Sequence, residues 1–410
     1  MNRHFITLIL SLLVASCANE EDVSAGKAET FVKYYGGINS DISSDMKEAS
    51  DGSYIILGTT VAETASKEEI SKIRLLKTDI DGNVMWDKTY PETQTEGIHN
   101  SILGRSLIEI NNGYLVVGDS IYKENNQDLT NMFILTVDQN GNTIAGNSIS
   151  FNNASLHGYT VTPNDQGNYF VLATIKGNAT PENMYLAEIS SADLSVVWSQ
   201  TYGIGDDVNI SKTILTDENN HVTWSGTTSR NGENDIRVIT TPADSKNTFF
   251  DETIGLNNGK NELGFDIQRT PFGYAIIGST NNTTAGDLDI LLTRVNQNGK
   301  LLGSTTFGGL KSDTGDALTV TKDGSLLILG STDSFGRGER DFYLIKTDMF
   351  GTPIWTESAG IDGKIFGSVN MDAGSTVLET STGHILILGS TKFGNVDTMV
   401  LIKTDSQGNI

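Results

Sequence analysis

One apolar run, closing on glycine (alanine in one copy) and a small polar residue, recurs along the chain: YIILGTT, YLVVGDS, YFVLATI, VTWSGTT, YAIIGST, LLILGST and ILILGST. The closing residues are Gly58, Gly118, Ala173, Gly226, Gly278, Gly330 and Gly389, spaced 52 to 60 residues apart. A turn signal precedes most of them, as in Asp51-Gly52, Asn112-Gly113 and Asp323-Gly324. A second β-rich run follows, such as KIRLLKTD, NMFILTVD, DILLTRVN or DFYLIKTD, and then a short turn ending at Gly82, Gly141, Gly299, Gly351 or Gly408. Runs of this length, rich in branched and aromatic residues and bounded by Asp, Asn and Gly, read as strands joined by hairpins.

Each unit therefore holds a weaker inner run, two strongly apolar strands and a fourth strand that often carries Trp or Phe. Four antiparallel strands in about 50 residues make the blade of a β-propeller. The near-continuous apolar runs fit strands covered on both faces by neighbouring blades. A β-helix needs shorter repeats, and a sandwich would not hold the period. The fourth-strand slot takes Trp86, Trp198 and Trp355 but also Ala145, Phe250 and Gly303, so it reads as packing and not as a ligand requirement. Asn131, Asn183, Asp235, Asp289 and Asp341 open third strands, where a short polar acceptor fixes a turn.

The last copy, LIKTDSQGNI, ends before its fourth strand, while FVKYYGG from Phe31 overlays fourth strands elsewhere. The expected fold is all-β: a seven-bladed propeller over 29–410, its last blade completed by a strand at about 30–36. Such closure removes two sheet edges.

Ahead of this ring lies MNRHFITLILSLLVASC, a basic start with a ten-residue apolar run that is too short to span a bilayer, which takes about 20 residues. VASC resembles the lipobox of bacterial lipoproteins, and Cys17 is the single cysteine. The resemblance implies a signal peptide at 1–16, a lipid on Cys17 and an acidic tether at 17–28. Glu20-Glu21-Asp22 resembles the export signal of surface lipoproteins in the Bacteroidetes. With its DGSYIILGTT and LIKTDxxGNxxW units, the chain resembles the repeat-propeller lipoproteins of Bacteroidetes outer membranes, and more distantly quinoprotein-like and WD-like propellers. The implied location is the outer membrane, facing the cell surface. With 51 acidic against 28 basic residues and a net charge of −23, the chain lacks the basic surface that nucleic acid requires.

Familiar motifs stop short. DIDGN at Asp79 begins like a calcium loop, but the position where an EF-hand needs Glu is Tyr90. D-x-x-G-x-x-x-W, at Asp79 to Trp86 and Asp348 to Trp355, approaches the quinoprotein repeat, yet the sole cysteine is committed elsewhere. No zinc-protease, nucleophile-elbow or phosphate-loop motif occurs. The expectation is a non-catalytic binding or scaffold propeller for an outer-membrane protein or a polysaccharide, with no cofactor and no metal. A lectin-like protein, a glycan-acting propeller enzyme and a quinoprotein-like oxidoreductase stand as alternatives. Any ligand is expected at the face carrying the blade-to-blade connections, where His157, Asp206, Asp207, Glu262, Asp313 and Asp316 are the candidate contacts.

Overall fold

The computed structural model describes residues 29–410 except 64–68, 92–100, 125–126, 152–153, 178–180, 206, 218, 231, 244–246, 257–258, 282–286, 338, 356–361 and 368–369. The segments expected to be a signal peptide and a tether, Cys17 among them, and Asp206 lie outside the described residues. The rest forms seven four-stranded antiparallel sheets, whose innermost strands touch one another in a closed cycle. This is a seven-bladed β-propeller. In the first blade the strands run, from the channel outward, Ser40–Glu48, Tyr54–Glu63, Glu69–Thr78 and Val84–Tyr90. Among the described residues, no helix is long and apolar enough to cross a membrane.

The core lies between blades. Leu57 and Leu75 of the first blade pack with Tyr114, Val116 and Leu135 of the second, all essentially inaccessible to solvent. The same mode recurs around the ring, which explains why the second and third strands are apolar on both faces.

Closure is supplied by Phe31–Tyr35, which pairs with Val396–Thr404 in the register Phe31↔Lys403 to Tyr35↔Met399. Phe31 also fills the expected aromatic slot: its ring lies against Gly82 of the first blade, just as Trp86 lies against Gly141, Phe250 against Gly299 and Trp355 against Gly408. Tyr35 adds a hydroxyl bond to the Gly82 carbonyl, 2.8 Å. Gly82 adopts φ +75°, a conformation that glycine takes without a Cβ penalty. The Asp79 carboxylate accepts the N–H groups of Asp81 and Asn83 at 3.0 and 2.8 Å, so DIDGN is a side-chain-capped hairpin turn.

Candidate functional site

All seven inner strands carry a one-residue bulge at the same level, at Ser43/Asp45, Gly104/Ser106, Gly158/Thr160, Ser211/Thr213, Gly264/Asp266, Gly315/Ala317 and Gly374/Thr376. The recurrent glycine and its small polar neighbour build this feature. A Cβ on Gly118 or Gly278 would come within 1.8 or 1.7 Å of the inner-strand carbonyl of Leu103 or Leu263. The residue after each anchor then reaches into the next blade. Thr59 accepts the Gly104 N–H, Asp119 that of Gly158, Thr174 that of Ser211 and Thr227 that of Gly264. Ser279, Ser331 and Ser390 take those of Gly315, Gly374 and Ser43, so the last bond closes the circle.

Bulges re-aim side chains, and here one residue per blade is left unpaired on the innermost strand. The seven are Ser44, Arg105, Tyr159, Lys212, Phe265, Asp316 and Ser375. They form a ring with distinct chemistry on different sides. Arg105 donates to Asp119 through Nε at 3.2 Å and Nη2 at 3.0 Å. Lys212 Nζ lies 5.5 Å from the centre of the Tyr159 ring and 5.3 Å from that of Phe265. Burial lowers the Lys212 pKa, and the like charge of Arg105 adds to this.

Asp316 stands on the other side. Its carboxylate accepts from the Ser331 hydroxyl and, at 3.3 Å, from Thr314 Oγ1. Arg340, which donates to Thr314 Oγ1 and Asp333, is the nearby cation. Enclosure by the blades pushes the Asp316 carboxyl up to about 6, against the hydroxyl bonds and Arg340, which hold it down. On the adjacent inner strand, burial also raises Asp266 to about 6, although it accepts the N–H groups of Leu318 and Ile267 at 2.8 Å each. The inner strands thus carry, in one ring, a carboxyl that titrates near neutrality, cations and aromatic residues. A carboxyl in that state can exchange a proton with a ligand that reaches it.

The sequence-derived candidates divide on this geometry. Asp316 belongs to the ring. His157 is half-buried in the inner strand beside it, its Nδ1 3.6 Å from Asp119 Oδ2. Glu262 and Asp313 are buried: Glu262 accepts from Leu256 N and Thr280 Oγ1, and Asp313 from Gly309 N and Ser334 Oγ, so both brace blade-to-blade connections. The Asp207 carbonyl caps the Asn209 side chain at 2.8 Å. Arg105, Tyr159, Lys212, Phe265 and Arg340 escaped sequence reasoning. Aligning the inner strands on LGRSL, HGYTV, ISKTI, LGFDI and TGDAL would have shown one variable residue directly after a small one.

No family model matches the sequence, and no curated protein matches it. Among solved structures the chain is similar to a Trypanosoma rangeli sialidase in complex with the inhibitor DANA, with TM-score 0.50 and 11% identity over 89% of this chain. The likeness is one of fold. The chain spans about half of that sialidase's length, 55%. A protein of unknown function from Dyadobacter fermentans is similar at TM-score 0.50 and 8% identity, covering 92% of this chain and 98% of its own. The resemblance to quinoprotein-like and WD-like repeats therefore holds only as far as the propeller architecture.

The sialidase likeness corrects the ground for expecting a non-catalytic chain, because the propeller fold found here is one that an enzyme also has. The physical reason for the misreading is plain. A propeller assembles its channel from single residues on separate blades, which leaves no linear motif to find.

Proposed function

We propose that this protein cleaves glycosidic bonds at the mouth of its central channel, with Asp316 as the proton donor. The observation that carries the reading is Asp316 itself, an inner-strand carboxyl held near a pKa of about 6 and steadied by Ser331 and Thr314. Such an acid is protonated often enough at working pH to serve a leaving group, and strong enough to give the proton up. The proton passes to the glycosidic oxygen as the bond from that oxygen to the anomeric carbon breaks. Water adds to the anomeric carbon as hydroxyl, and its remaining proton restores the carboxyl. The likeness of fold to a sialidase supports the reading.

Turnover of a panel of aryl glycosides and oligosaccharides, acidic and neutral, tests it. Asp316→Asn is expected to lower kcat by roughly 10²-fold or more while binding persists. Turnover indifferent to that substitution, or none across the panel, would overturn the reading.

The proposed setting is the outer membrane, with a lipid on Cys17 and the ring held off the bilayer by the tether. Cys17→Ala should then move the protein from the membrane to the soluble fraction on cell fractionation.

A further inference from the structure

We infer that the channel selects a glycan bearing an acidic substituent, a carboxylate or a sulfate ester, and that Lys212 reads this charge. The inference rests on the glycan reading and deepens it. Among the described residues Lys212 forms no ion pair, whereas Arg105 is committed to Asp119 and Arg340 to Asp333. Its ammonium is seated between the rings of Tyr159 and Phe265, at 5.5 and 5.3 Å, which fixes its position from two sides.

A protein of net charge −23 has many carboxylates to spare, yet the charge that acts on Lys212 is a like one, that of Arg105 on the same ring of inner strands. Confined together, two like charges oppose each other, and their repulsion is relieved when an anion enters between them. The Lys212 ammonium, held over the two rings, meets the charge of the acidic substituent. A neutral sugar would leave the Lys212 ammonium with only its aromatic neighbours and would gain none of this.

Calorimetry on the purified protein with D-glucuronate, galactose 6-sulfate and neutral methyl galactoside tests the inference. The acidic probes are expected to bind at least about tenfold more tightly than the neutral one. Lys212→Met, which keeps the aliphatic stem between the rings, should remove that preference, and Lys212→Arg should restore most of it. Equal affinity for all three probes would overturn the inference, as would an unchanged preference in Lys212→Met with native thermal stability. Should Lys212→Met fail to fold, the lysine Nζ can be titrated by NMR in the wild-type protein. Its pKa should rise on binding an acidic probe, and a pKa that stays put would overturn the inference.

The two readings fail separately. Lys212-dependent binding of acidic sugars without glycoside turnover removes the hydrolase and keeps the charge selectivity. Asp316-dependent cleavage of neutral glycans, unaffected by Lys212→Met, does the reverse.

Discussion

At the level of single residues, the glycine anchors and the channel carboxyls make opposite demands. Gly278 is small because the bulge drives the Leu263 carbonyl into the space a side chain would need. Gly278→Ala should therefore cost about 2 kcal/mol in denaturant unfolding. Asp316 and Asp266 are ionisable groups that the fold encloses. Both titrate at about 6 in the folded chain, above their ordinary 3.8. The folded state thus holds these protons more tightly than the unfolded one, which makes their contribution complete below about 3.8 and lost as pH rises through about 6. The Tm should accordingly fall between about pH 4 and pH 6, and Asp316→Asn should flatten part of that slope. A Tm that rises across the window, or a slope unchanged in the variant, would contradict this assignment. Asp51, whose bond to Lys77 helps hold it down at about 2, acts in the other direction, but below this window. The sequence marked Asp316 as a channel-face acid, yet it gave no sign of Arg105 or Lys212. Their importance comes from a one-residue slip in strand pairing, which a hydrophobic pattern does not register.

At the level of elements, the strand Phe31–Tyr35 was legible for a simple reason. The final copy stops after its third strand, and FVKYY carries an aromatic residue in the matching slot. The recurrence of Trp or Phe beside the next blade's turn glycine confirms the packing reading of that slot. The same pattern gave no warning that the outer strand of the sixth blade shortens to Lys364–Phe366, where Trp355 sits instead beside an isolated bridge between Thr347 and Pro353. Phe31→Ala should cost about 2 kcal/mol, since the half-buried ring loses its contact with Gly82. Deleting 29–37 should do more, exposing the outer edge of Val396–Thr404. Thermal melts and gel filtration should show a lower Tm and self-association. A deletion variant that melts like the parent and stays monodisperse would refute the closure.

At the level of the whole molecule, the period of the apolar runs revealed the ring, because each blade must bury two faces against its neighbours. Function was harder to read. The acidic connections attract attention in sequence, but Glu262 and Asp313 turn inward to brace backbone, leaving the channel to residues that look unremarkable in isolation. The molecule that results is strongly anionic overall, with cations and a titrating acid gathered in its centre. The most direct test of that arrangement is the pH dependence of kcat for a glycoside that the protein turns over, in the wild type and in Asp316→Asn. A protonated donor predicts a rate that falls about tenfold per pH unit above about 6, with the falling limb absent from the variant. A rate flat from about pH 5 to pH 8, or the same falling limb in Asp316→Asn, would contradict it.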